Sequence, residues 1–147
     1  AWNSRRSKRM PSANVVSNAW ELCAFYECLL RGGELDGVRV FNPGTVRHAT
    51  NEQSYREIDL TLLMPIRYGS GLMLGDRPIG LFGQNTSRAF GHIGFTNIFG
   101  WADPERQISV AILTSGKPIF STHVIRLVQL LFEINRLPAS RGPNRPA

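Results

Sequence analysis

The chain has 147 residues, 42% of them hydrophobic, which is the length of one domain with enough apolar side chains for a core. Its longest apolar runs, such as Val110-Ala111-Ile112-Leu113, fall far short of the roughly 20 residues a membrane-crossing helix needs. The net charge of +6 sits at the two ends, and a neutral body carries no continuous basic face of the kind nucleic acid requires.

Arg5, Arg6, Lys8 and Arg9 make residues 1–10 a basic arm, expected to be flexible and solvated rather than a polyanion-binding element. Arg141 and Arg145 lie in a Pro/Arg-rich stretch, residues 138–147, expected to be a disordered tail. Residues 11–137, with 11 basic and 11 acidic side chains, form the expected domain. No signal peptide is visible, and the first residue is Ala1 rather than Met, so the chain reads as a piece of something longer.

The first helix opens at Asn18-Ala19-Trp20-Glu21, a capping box in which Asn18 caps and Glu21 reaches back. Leu22, Phe25, Tyr26, Leu29 and Leu30 follow at helical spacing as one apolar stripe, and Gly32-Gly33 ends the helix. Cys23 and Cys28 point about 140° apart on that helix, so they read as free thiols rather than a disulfide or a metal pair. Free thiols fit a reducing, cytoplasmic setting.

Asp36-Gly37 marks a turn before a short strand through Val38 and Val40, and Asn42-Pro43 opens a helix to about Thr50. From Asn51 to Pro65 no period stands out, which predicts a loop or irregular helix. Strands are then expected at Tyr68–Leu74, Arg88–Gly94, Ile98–Ala102 and Gln107–Thr114. Gly75-Asp76-Arg77-Pro78 and Asp103-Pro104-Glu105-Arg106 supply turns. A last helix from Ser121 to Arg136 carries Val124, Leu127, Val128 and Leu131 on one stripe. The expected fold class is α+β, an antiparallel β-meander flanked by an N-terminal and a C-terminal helix.

Phe90-Gly91-His92-Ile93-Gly94 is the segment with chemistry in it. A His-x-Gly on a strand lines a groove with a polar head and a backbone that a ligand approaches closely. Taken alone, the histidine reads more simply as a strand-edge residue with a structural hydrogen bond. His48 and His123 have no partner pattern and read as surface or cap residues. No His/Cys/Asp/Glu spacing suggests a metal, and no cofactor motif is present: Gly69 and Gly71 are not followed by the Gly-Lys-Ser/Thr of a phosphate loop. Trp20 and Trp101 read as core or groove-lining rings rather than stacking platforms for bases.

Several segments together carry a family likeness. Pro11-Ser12-Ala13-Asn14, Leu22-Cys23-Ala24-Phe25-Tyr26 and Gly32 to Val40 are the first three. Tyr68-Gly69-Ser70-Gly71-Leu72, Phe90 to Gly94 and Ala102-Asp103-Pro104-Glu105 follow in order. They resemble the C-terminal part of the serine β-lactamase-like hydrolases, which include class C β-lactamases, penicillin-binding proteins and bacterial carboxylesterases. The resemblance runs from about Pro11 to Gly116.

In that family Ser-x-x-Lys, a tyrosine motif, and Lys-Thr-Gly or His-x-Gly converge on the substrate. The resemblance implies that His92 lies on the groove wall and that Gly94 keeps the strand margin open for an acyl group. It also implies that the backbone N–H of Phe95 is one of two oxyanion donors. Such a donor is worth about 3–4 kcal/mol in acyl-transfer enzymes. His-x-Gly in place of Lys-Thr-Gly favours an esterase over a true β-lactamase.

The pattern also has departures. Asn97 stands where the family often has glycine, and no serine here is followed three residues later by lysine. Tyr68-Gly69-Ser70 formally fits a tyrosine motif but falls in the glycine-rich strand segment, away from the family's catalytic position. Gly-x-Ser-x-Gly does not occur either. A hydroxyl needs an adjacent base to attack at neutral pH, so this chain alone is expected to be inactive.

The parent is expected to be a serine hydrolase that takes an ester or amide small molecule. The competing reading is a non-catalytic binding or scaffold fragment that associates with an N-terminal part or another protein chain. Neither reading involves a membrane span.

Overall fold

The computed structural model describes residues 16–60, 62–94, 98–114 and 122–137, so the basic arm and the Pro/Arg-rich tail lie outside the described residues. Helix α1 (Ala19–Leu30) forms behind the expected capping box. Glu21 N–H donates to Asn18 Oδ1 at 3.0 Å, and Asn18 N–H donates to Glu21 Oε2 at 3.3 Å. A cap of this kind contributes about 1 kcal/mol. Gly32 and Gly33, both at positive φ, turn the chain out of the helix, with Gly33 N–H closing on the Cys28 carbonyl.

Strands β1 (Glu34–Leu35) and β2 (Val38–Arg39) make a two-residue hairpin at Asp36-Gly37. Both turn residues have positive φ, the geometry whose twist matches a hairpin. Helix α2 (Pro43–Thr50) starts on Asn42, whose Oδ1 accepts from Gly44 N–H at 2.8 Å.

The segment read as a loop or irregular helix is instead a hairpin, β3 (Ser54–Asp59) with β4 (Met64–Tyr68). Strand β3 is an edge strand with both faces largely in solvent, and Arg56 at φ 51° interrupts its register. An edge with no buried face has no alternation to read. After β5 (Met73–Leu74) a small hairpin, β6 (Ile79–Gly80) and β7 (Gly83–Gln84), leads to the meander. The meander is β8 (Phe90–Gly94), β9 (Ile98–Asp103) and β10 (Ile108–Ile112). The main sheet has the order β10-β9-β8-β5-β4-β3, antiparallel throughout.

Alternation on the strands splits the core in two. Leu74, Phe90 and Ala102 face α1 and α2, packing with Tyr26, Leu29 and Val46. Met73, Phe99 and Trp101 face the other way, with Ile66, Phe82 and Leu131 of helix α3 (Thr122–Arg136). Trp101 is fully buried and stacks on Phe82 with ring centroids 5.8 Å apart. On α3 the inward positions are Leu127, Leu131 and Ile134, whereas Val128 is exposed, a correction to the expected stripe.

Candidate functional site

His92 is the third residue of β8, on the sheet face that Phe90 shares with α1. Its backbone partner across the sheet is Gly100 of β9. Two glycines bring the strands and helix this close. A Cβ on Gly91 would meet the Gly100 carbonyl and the Trp101 backbone, and a Cβ on Gly100 would enter the Tyr26 ring. Tyr26 is therefore seated directly beside the His92 register. Burial pushes its phenol up to about 12, and the hydrogen bond from the His92 backbone opposes that rise.

The His92 side chain itself is exposed. Strand β5 pairs with β8 only at Phe90 and Gly91, so on the side away from β9 the margin from His92 to Gly94 faces no strand among the described residues. Gly94 differs from the glycines behind it. Among the described residues a Cβ there would make only ordinary contact with Ile98, at 3.4 Å, so packing against them does not demand its glycine. Phe95 and Asn97 lie outside the described residues.

Tyr68 donates its phenolic proton to Asp59 Oδ2 at 2.5 Å. Burial and that carboxylate raise it to about 12. A tyrosine acting as a base needs the opposite shift, toward neutrality. Ser70 Oγ lies 3.5 Å from His48 Nε2, a pairing across 22 positions that no sequence spacing announces. Cys23 is half-buried with Sγ 3.4 Å from Ser109 Oγ, and Cys28 is buried; both are free thiols. Trp20 is 82% exposed and stands beside a cavity of about 280 Å³ formed with Cys23, Leu35 and Ser109, so it lines a groove rather than the core. Among the described residues no cluster of three or more His, Cys, Asp or Glu side chains is placed to hold a metal. No helix among them is long and apolar enough to cross a membrane.

Two carboxylates on the α2–β5 side are held below the usual range. Glu52 is pulled down chiefly by its hydrogen bonds from Arg67, and Asp76 by those from Arg56. Groups whose pKa falls on folding stabilise the fold above their unfolded pKa. That contribution is lost as pH drops through the folded values. The urea midpoint is therefore expected to hold from neutrality down to about pH 5 and to fall below about pH 4. Glu52→Gln should flatten part of that acid limb, and an acid limb unchanged by the substitution would contradict it.

The helices packed on an antiparallel sheet define a fold class, and comparison with known proteins names it. The Beta-lactamase family model matches residues 1–131, and the chain belongs to that family. It is 33% identical over 104 residues to a Mycobacterium tuberculosis protein described as Esterase/beta-lactamase LipL, covering 71% of this chain and 23% of that protein. A penicillin-binding protein homolog from Caulobacter crescentus superposes with a TM-score of 0.61 at 31% identity, over 69% of this chain and 26% of that one. A family VIII carboxylesterase shares the fold with a TM-score of 0.63 at 22% identity, over 77% and 30%. The chain spans about a quarter of the length of these relatives.

Proposed function

We propose that this chain is the C-terminal segment of a β-lactamase-like serine hydrolase, a carboxylesterase that works through an acyl-serine. The observation that carries the reading is His92, an exposed imidazole at an open strand margin, two residues from a glycine that packing against the described residues does not require. In this reading a serine and its lysine base are supplied from outside these 147 residues. The serine Oγ attacks the ester carbonyl, the alcohol leaves with a proton, and water releases the acid and restores the hydroxyl. His92 orients the ester on the groove wall and Gly94 leaves room for its acyl group. The N–H of Phe95 is one of the two donors to the oxyanion.

The test uses nitrophenyl esters. This chain alone should show no turnover above buffer. The whole gene product, if it carries Ser-x-x-Lys, should turn the esters over, with a fall of about 10²-fold in His92→Ala. Turnover by the isolated chain that disappears in His92→Ala would overturn the reading, as would a whole protein indifferent to that change.

A second reading, a non-catalytic fragment that binds a partner chain, is favoured by different features. These are the outer positions of β10 and β3 in the sheet and the exposed Tyr55, Ile58, Leu60 and Leu63 around β3. Sedimentation as a monomer at micromolar concentration would remove it.

A further inference from the structure

Beyond the start of β8, at the end of the sheet away from the His92–Gly94 margin, a polar cavity of about 360 Å³ opens. It lies between the C-terminal end of α2 and strands β4, β5 and β8. That volume is at the small end of the roughly 300–1,000 Å³ typical of ligand sites. Arg67, 15% exposed, is almost fully engaged within it. Its Nη2 and Nε donate to Glu52 at 2.7 and 3.3 Å, and its Nη1 donates to the carbonyls of Gly75 and Ser87 at 2.5 and 3.2 Å. Arg88 is in a different state. It is an exposed lining residue, and its guanidinium has no hydrogen bond or ion pair among the described residues. The Ser87 hydroxyl and the Asn51 amide, also in the lining, are equally unengaged there.

Among the described lining residues the charges cancel except for one. Glu52 offsets Arg67 and leaves Arg88 as the unmatched positive residue of the described lining, which Ser87 and Asn51 share as neutral donors. We infer that this cavity binds a small carboxylate, gripped by the Arg88 fork and steadied by Ser87 and Asn51. A planar guanidinium matches the two oxygens of a carboxylate. The Glu52 carboxylate in the same wall disfavours a second negative charge, which speaks against phosphate. Leu74, Ala89 and Phe90 expose 6%, 1% and 5% of their surfaces, so the floor has little apolar area for a long tail and suits a ligand of few carbons. The inference does not depend on the hydrolase reading.

A titration followed by amide NMR tests it, with sodium acetate as the probe and sodium chloride at equal ionic strength as the control. Acetate should give saturable shifts at Asn51, Ser87 and Arg88 while His92 stays still. Arg88→Gln should weaken binding at least about tenfold, with Arg88→Lys between the two, because a point charge lacks the fork. Equal responses to chloride, no saturation, or unchanged binding in Arg88→Gln would each overturn it. Inorganic phosphate binding more tightly than acetate would overturn the choice of carboxylate.

Discussion

Replacing Arg106 with methionine is expected to remove about 3–5 kcal/mol of stability, the range seen when one partner of a buried ion pair is lost. Asp103 is completely buried at the end of β9. Its carboxylate accepts the backbone N–H groups of Glu105 and Arg106 at 2.9 and 3.3 Å, and Arg106 Nη1 at 2.6 Å. The same guanidinium reaches the carbonyls of Gln84 and Asn85 beside the β6–β7 hairpin and the carbonyl of Asn135 on α3. One side chain therefore ties the β9–β10 turn to the hairpin and to the last helix. Methionine fills much of the space but leaves a carboxylate out of water with two amides for company.

Urea denaturation should show the midpoint falling at an unchanged slope. The double variant Asp103→Asn/Arg106→Met should regain part of the loss, since a neutral amide oxygen still accepts both N–H groups without a charge to bury. A single variant within about 1 kcal/mol of the parent would mean the Asp103 carboxylate does not depend on Arg106.

The legible parts of this fold are those where local chemistry and tertiary packing agree. Asn18 with Glu21, Asp36-Gly37 and Asn42-Pro43 each specify a local geometry, and each element begins or turns there. The β8–β9–β10 part of the meander was readable because β9 alternates Phe99 and Trp101 against Gly100 and Ala102 on its two buried faces. The strand expected at Tyr68–Leu74 is instead the bend that joins β4 to β5. Strand β3 was not readable because it is exposed on both sides at the sheet edge. On α3, apolar residues occupy more of the circumference than the core covers, so periodicity could not tell Val128 from Ile134.

The site divides in the same way. His92 stands out in the sequence as a histidine between glycines, and it is exposed on its strand. Tyr26 does not, because its place in a helical apolar stripe gives no sign that its ring fills the gap over Gly100. The Arg67–Glu52 pair is 15 positions apart in sequence and is joined only by the β3–β4 hairpin that the pattern concealed.

Gly91 and Gly94 offer a paired test of which glycines the fold needs and which it does not. Neither has positive φ, so alanine carries no dihedral penalty at either position and the difference rests on space alone. At Gly91 the new methyl would meet Trp101 Cβ at 2.5 Å and Cα at 2.6 Å, as well as the Gly100 carbonyl. Those atoms belong to a strand paired on both sides, by β8 and β10, and to a fully buried ring. Relief requires the sheet to part, so Gly91→Ala should cost at least the upper end of the ~1–3 kcal/mol usual for overpacking. Loss of the near-ultraviolet signal of the Trp101–Phe82 stack should accompany it.

Gly94→Ala meets Ile98 at an ordinary 3.4 Å and should change stability by no more than about 0.5 kcal/mol. In a whole protein active on nitrophenyl esters, the second substitution should instead penalise bulky acyl groups more than acetyl, because its methyl sits at the proposed groove rather than in the core. Equal destabilisation by the two alanines would show that both glycines serve packing, and Gly94 would then lose its claim to a place in the site.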